Sequence, residues 1–392
     1  MVSALYKALR NRRAFLFLFF FPLVGAAQEL PQKIQINGAA PSLYDNDLLS
    51  KEFHAGRREA LRKLMGDSSL AVFFPSSIKN RSNDVDYVFH QDPDFYYLTG
   101  LNEEDAMLMV FKNEIRFDGF SANEILFVKS KDPQSERWTG KILGVDGVKK
   151  ELGFQDVFPN DTFSEIRMDF LKFKNIYFLE QKKQNEGMLN KKFLARLSEQ
   201  KAKADTYDIK EYMAKLREIK LKEELNLMRK AINATCDGIK EAMKALEPGM
   251  SEYDVEAIVE YVFKSKGAED VGYPSIVGGG ENSCILHYES NRKKLISTDM
   301  MVCDVGAEYH GYSADVTRTY PVSGKFSEEQ KAIYNIVLEA QQSDVPSNFA
   351  FFALAFIAGL NVDKFMEKIE DIAEVTWGIK KSRIAKKDDT DG

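Results

Sequence analysis

The chain has 392 residues, 44% of them hydrophobic, and a formal net charge of −6 from 54 basic and 60 acidic side chains. This mild, mixed charge, without a basic stripe or arm, excludes nucleic acid as the expected partner and favours a small or peptidic one. Cys236, Cys284 and Cys303 are odd in number and scattered, so neither a disulfide framework nor a zinc site follows from them.

The amino end has the order of a secretory signal. Lys7, Arg10, Arg12 and Arg13 precede the apolar run Ala14 to Val24, and Gly25-Ala26-Ala27 offers small residues for cleavage before Gln28. The run is shorter than the roughly 20 residues that span a bilayer, so residues 1–27 are expected to be removed and no stable membrane anchor is expected. Export to the periplasm or the cell exterior follows. What remains is long enough for two domains of roughly 100–200 residues each.

Gln28 to Leu49 is a polar lead-in. A helix is expected from Ala55 to Met65, followed by strands at Leu70–Phe74, Ala106–Phe111, Glu124–Lys129 and Asn175–Glu180, an α/β domain over residues 50–210. Between the first two strands, Arg81 to Gly100 is dense in Asn, Asp and aromatic residues and is expected to be a long loop folded back by its rings. His90 has no ligand-type neighbour at a useful spacing and is taken as structural. Trp138, beside glycines, is expected to be a packing anchor. From Gln181 to Lys215 the chain is highly charged, while Phe193, Leu194 and Leu197 keep helical spacing.

A second segment, residues 216–342, begins with a helix from Lys220 to Leu246 that places Leu225, Met228, Ile232, Ile239, Met243 and Leu246 on one face, stopped by Glu247-Pro-Gly. Ser251 then caps a helix with Glu252 and Asp254 in its first turn and Val255, Ile258, Val259 and Val262 on the buried side; Gly267 can close it. His287 is expected to end an apolar strand, where a lone histidine is more often a packing residue.

Met301 to Lys325 concentrates the chemistry. Two β-runs, Met301–Val305 and Tyr312–Tyr320, flank Gly306 and Gly311. Folded about Tyr309 and His310, they set Asp304 roughly opposite Asp315 on one face. Aspartates beside a turn are often plain turn residues. Here Met301, Val302, Val305 and Val316 surround them with apolar side chains, and buried aspartates are rarely left unpaired, so a shared metal ion is the economical reading.

The blocks Ile276-Val-Gly-Gly-Gly-Glu-Asn, Ile285-Leu-His-Tyr, Asp304-Val-Gly-Ala-Glu-Tyr and Asp315-Val-Thr-Arg-Thr-Tyr-Pro-Val resemble the Xaa-Pro aminopeptidases (aminopeptidase P). Arg81-Ser-Asn-Asp and Asp94-Phe-Tyr-Tyr-Leu-Thr-Gly resemble that family's N-terminal domain, and the likeness covers roughly residues 53 to 342. It implies an α/β N-terminal domain of the creatinase/aminopeptidase P type, followed by a partial α+β pita-bread metallopeptidase domain holding two Mn²⁺ ions. It also implies peptide substrates with proline in second position. By resemblance Asp304 and Asp315 match metal ligands, the latter bridging both ions, and His287 matches the histidine that stabilises the tetrahedral intermediate. Tyr96 stands where some relatives carry a tryptophan that reaches a neighbouring subunit's site, which leaves a homo-oligomer open.

The family's other ligands, a histidine and two glutamates, have no recognisable counterpart, because no histidine follows His310. Residues 343–392 change character and are expected to be a divergent tail of a truncated or frame-shifted product. Glu367, Glu370 and Glu374, spaced for one helical face, are the first tail residues to consider as substitutes. A prolidase-type dipeptidase and a catalytically dead peptide-binding pita-bread module are the alternative readings. Intact-mass measurement of protein from a secreting host should give a chain starting at Gln28; a dominant species retaining Met1 would refute the signal.

Overall fold

The computed structural model describes residues 47–179, 187–200, 205–207 and 209–342. Helix α1 (Lys51–Leu64) begins ahead of the expected Ala55 because its cap sets the start: the Ser50 hydroxyl accepts from the Phe53 N–H at 3.2 Å. Strand β1 (Ser69–Phe73) follows, then a small exposed hairpin of β2 (Asn80–Ser82) and β3 (Val85–Asp86), and helix α2 (Pro93–Thr99). Arg81 to Gly100 is therefore not a long loop. Asp92 accepts from the backbone N–H of Asp94 and Phe95 at 3.1 and 2.9 Å, Pro93 occupies the first turn, and Gly100 closes the helix at φ +71°. The cap, proline and closing glycine were all present in the sequence; the density of aromatic rings masked them.

Strands β4 (Met107–Arg116), β5 (Ser121–Val128), β6 (Val157–Pro159), β7 (Asn175–Phe178) and β8 (Asp205–Tyr207) complete a mixed six-stranded sheet in the order β6-β5-β4-β1-β7-β8. Its central strands are apolar over Leu70–Phe73 and Met107–Phe111, where both faces are covered. Ala71, Phe73, Leu108, Val110 and Leu126 face one core, shared with α1, α2 and α4 (Lys210–Glu218), while Leu70, Val72, Met109 and Phe127 face another that includes Phe193 of α3 (Met188–Glu199). Trp138 is 88% exposed, a correction to the expected packing role.

A buried cation ties α1 to this sheet. Arg58, with 1% of its side chain exposed, lies 3.9 Å above the Phe154 ring, pairs with Glu124 through Nε (3.0 Å) and Nη2 (2.9 Å), and donates to the Leu98 carbonyl at 2.8 Å. Arg62 adds a second guanidinium to Glu124 at 2.8 Å.

Helix α5 (Lys222–Ala245) buries only part of the expected face: Ile239 is buried and Leu246, just past its end, packs against the core. Leu227, Ala231, Ala234, Gly238, Ile239 and Ala242 are its buried side, whereas Leu225, Ile232 and Met243 are 37, 40 and 50% exposed. Small residues win because α6 (Glu252–Ser265) lies so close that a Cβ on Gly238 would meet the Phe263 ring at 2.8 Å. The start of α6 is as expected: Ser251 forms a capping box in which its N–H donates to Asp254 Oδ2 at 2.7 Å.

The helices α5 and α6 cover one side of a three-stranded antiparallel sheet made of β10 (Ile276–Gly279), β11 (Met300–Val305) and β14 (Val316–Pro321). A second small sheet joins β9 (Asp270–Val271), β12 (Ala307–Tyr309) and β13 (Tyr312–Ser313). Helix α7 (Glu328–Gln342) ends the described chain, and residues 343–392, with the tail glutamates, lie outside it. Among the described residues no helix is long and apolar enough to cross a membrane, and all three cysteines are free.

Replacing Arg58 by Ala should cost about 3 kcal/mol in urea unfolding, since it strips a half of its pairing from a largely buried carboxylate. Arg58→Lys should recover only part of this, because an ammonium cannot make the bidentate contact; full recovery would show that charge alone matters there.

Candidate active site

The hairpin turns at His310 and Gly311, both in the left-handed region at φ +49° and +79°, as a two-residue turn between antiparallel strands requires. The fold point lies one position beyond the expected Tyr309–His310, so the register moves by two. Asp304 stands opposite Thr317, not Asp315, which is its diagonal neighbour. A shift of two preserves the face of every side chain, so both aspartates still project from one side of the hairpin. Met301, Cys303 and Val305 alternate to the other side and enter the core; there burial pushes the Cys303 thiol up to about 12.

Gly306 sits between the two small sheets. A Cβ there would fall 1.8 Å from the Ala314 carbonyl oxygen, so only glycine lets the hairpin pass from one sheet to the other at this separation. Asp315 lies just beyond this crossing.

The two aspartates converge on one atom. The Tyr273 hydroxyl is 2.6 Å from Asp304 Oδ1 and 3.2 Å from Asp315 Oδ1. Burial first, and then the two carboxylates, hold that phenol well above its ordinary pKa, so it stays a donor. One O–H has one hydrogen for two acceptors, and a half-buried and an exposed carboxylate face each other with little else between them. Two oxygen donors closing on one point suit a hard divalent cation, and the residues fit part of such a site. Among the described residues no group of three or more His, Cys, Asp or Glu is placed to hold an ion. Tyr273 was the residue that sequence reading missed. It precedes a proline by one place, and no spacing rule links it to partners 31 and 42 residues away.

His287 does not end a strand. It lies in an exposed turn after β10, within the loop that leads back to β11. Tyr96, on α2, packs at the tip of the hairpin: a Cβ at Gly311 would meet its ring at 3.3 Å. Tyr96 opens onto a cavity of about 830 Å³ whose walls include His90, Arg217, Glu308, His310 and Tyr312; His287 is not among its lining residues. His90 is exposed and pairs across the chain with Glu308 at 3.0 Å, a partner its local sequence could not disclose.

The tip holds a second charged cluster. Buried His310 is bracketed by Glu269, on Nδ1, and Asp47, 3.1 Å from Nε2; Asp47 also pairs with Lys230 and accepts from the Tyr309 hydroxyl at 3.1 Å. Burial opposes the imidazolium, but Glu269 and Asp47 outweigh it and hold His310 above its ordinary value. Burial likewise opposes both carboxylates, yet His310, with Lys230 beside Asp47, holds each below its ordinary range.

The comparisons with known proteins divide the chain as its cores do. Residues 54–177 match the aminopeptidase P N-terminal domain, and residues 226–376 match metallopeptidase family M24, a match that runs past Gln342 into residues outside the described ones. The Xaa-Pro aminopeptidase of Escherichia coli K12 is 34% identical over 306 residues, covering 76% of this chain and 68% of its own length. That of Haemophilus influenzae is 34% identical over 295 residues, covering 75% and 66%. The structure of E. coli aminopeptidase P with the inhibitor Pro-Leu superposes with a TM-score of 0.67 at 32% identity, over 75% of this chain and 67% of that one. The chain thus spans about two thirds of the length of these relatives.

The His310 cluster makes stability depend on pH with a definite sign. A histidine whose folded pKa lies above 6.5 stabilises fully below 6.5 and loses this as pH rises through the folded value; the depressed carboxylates lose theirs as pH falls below about 4.5. Thermal midpoints should therefore fall as pH rises above 6.5 in the wild type and stay flatter in His310→Gln, which at pH 6 should be less stable by about 1–3 kcal/mol. Parallel profiles would place His310's proton outside the folding equilibrium.

Proposed function

Because the chain belongs to metallopeptidase family M24, with the aminopeptidase P N-terminal domain ahead of the pita-bread domain, we propose that it acts as an Xaa-Pro aminopeptidase. On this reading it releases the N-terminal residue of peptides with proline in second place. The observation that carries the proposal is the convergence of Asp304 and Asp315 on the Tyr273 hydroxyl. The names of the relatives supply the substrate class. The family is one of divalent-metal hydrolases; manganese as the ion rests on the oxygen-rich donors. Residues 1–27 support export to the periplasm or beyond.

The chemistry that a pair of divalent ions supplies when bound is polarisation of the scissile carbonyl and activation of water near neutral pH. The chain's own residues do the rest. Asp304 and Asp315 would hold the metal, with the register of the hairpin keeping them on one face. Tyr273 orients both carboxylates and, as a phenol that keeps its proton, lessens their repulsion. His287, exposed on its loop, is assigned by resemblance to donate a hydrogen bond to the oxygen that gains charge in the transition state, a contact typically worth about 10²–10³ in rate.

Among the described residues two carboxylates meet at this point, and they neutralise only half the charge of two divalent ions. Mn²⁺ binding by this chain is accordingly proposed to be weak and turnover slow. A peptide-binding role without hydrolysis is the second reading, favoured by the two-carboxylate limit among the described residues.

Titration calorimetry with Mn²⁺ beside an assay of residue release from an Xaa-Pro peptide distinguishes these. Asp315→Asn should abolish Mn²⁺ binding and any turnover, whereas His287→Ala should keep the binding and lower only turnover. Mn²⁺ affinity that survives Asp315→Asn would remove the carboxylate pair from the site. Peptide binding with no release, with or without Mn²⁺, would favour the binding module.

A further inference from the structure

The loop that carries His287 has little apolar fixing of its own, since Ile285 and Leu286 at its tip are 53 and 68% exposed. Its place is set by a carboxylate. Glu252, the first residue of α6, is fully buried, and its two oxygens accept four hydrogen bonds. Gly279 N–H and Asn282 Nδ2 donate to Oε1 at 2.8 and 3.0 Å; the Tyr288 hydroxyl and Lys293 N–H donate to Oε2, both at 2.8 Å. The Glu252 N–H in turn donates to the Lys293 carbonyl at 3.0 Å. Four donors fill the lone-pair sites of an ionised carboxylate, and a position in the first turn of a helix favours the negative charge.

The donors are distributed in a telling way. Gly279 and Lys293 are the two ends of the loop, and Asn282 and Tyr288 lie within it. Tyr288 adjoins His287, and its hydroxyl also accepts from Asn282 Nδ2 at 2.8 Å. Gly279 is paired with Met301 on β11, at one end of a four-residue strand whose other end pairs Ile276 with Asp304. Buried Asn291 clamps the same loop independently, accepting from Val277 N–H at 3.0 Å and donating to the Ser275 carbonyl at 2.8 Å. Among the described residues no ion pair reaches Glu252, and burying a carboxyl group without one is a costly way to fill a core, so what it supplies is geometry.

We propose that Glu252 is a positioning residue, whose buried carboxylate gathers residues 279–293 through Tyr288 and so sets where His287 stands relative to Asp304. The functional half of this statement rests on the role given to His287 above.

The test uses the full chain with Glu252→Gln and Tyr288→Phe. A carboxamide keeps the size but turns one acceptor into a donor, and the phenylalanine removes a single hydroxyl, so one variant remains informative if the other does not fold. Hydrogen exchange of the amides between 280 and 293 should quicken by about 10- to 100-fold, the loss of one hydrogen bond to a charged group, with β11 and β14 unchanged. The His287 imidazole NMR signals should shift and broaden in both variants. Where turnover is measurable, kcat should fall with KM little changed, and the effect should vanish when His287 is already alanine. Unchanged loop exchange and an unmoved His287 signal in both variants would overturn the proposal, as would uniform destabilisation of α6 and β10 with His287 unaffected. If the exchange and NMR changes occur but His287→Ala retains full turnover, positioning stands and the catalytic assignment of His287 falls.

Discussion

The absence of a side chain at Gly306 decides where the carboxyl part of this molecule can place its polar groups. With the Ala314 carbonyl where a Cβ would be, the hairpin from Met300 to Pro321 passes between two small sheets without losing its register. Its base, β11 and β14, is held by the core under α5 and α6. Its tip, β12 and β13, pairs with β9 and reaches the cluster around His310. Asp304 and Asp315 lie on either side of the crossing, and this brings them to one hydroxyl although they are diagonal rather than opposed. A larger residue at 306 would separate strands, aspartates and tip together.

Around that hairpin the chain spends buried charge on orientation. Arg58 fastens α1 to the sheet through Glu124; Glu224, 2% exposed, accepts from the Tyr312 hydroxyl and from Leu221 N–H, linking the start of α5 to β13; Glu252 gathers the His287 loop. Apolar contacts are non-directional and would tolerate small slips in each case. Carboxylates whose donors come from several elements do not, because each unsatisfied donor would remain buried. Rigid support of this kind is what the proposed site needs, since Tyr273, His287 and the hairpin that carries Asp304 and Asp315 are separate stretches of chain.

Much of this was legible in the chain. Ser251 with Asp254, Gly267 and the apolar run of β1 each carry local signals that the structure bears out. The short helix at Pro93–Thr99 was legible too, through Asp92, Pro93 and Gly100, but aromatic density was given more weight than capping. The partly misjudged face of α5 has a different origin. Large apolar residues such as Ile232 and Met243 drew the expected core to themselves, while the neighbour that selects Ala231, Ala234 and Gly238 is a helix packed across them, which periodicity within α5 cannot reveal.

By itself the amino-acid sequence determined the family, the alternation of the amino domain, the aspartate pair and the face they share, because motifs, caps and side-chain alternation are properties of neighbours along the chain. Tertiary structure alone decided that Tyr273 would meet both aspartates, that His90 would find Glu308, that His310 would be enclosed by Glu269 and Asp47, and that Glu252 would close the loop of His287. These partners lie between 27 and 263 residues apart. No local pattern encodes such a meeting; it arises when strands and helices pack, and only then do burial and hydrogen bonding fix the charge and direction of each group.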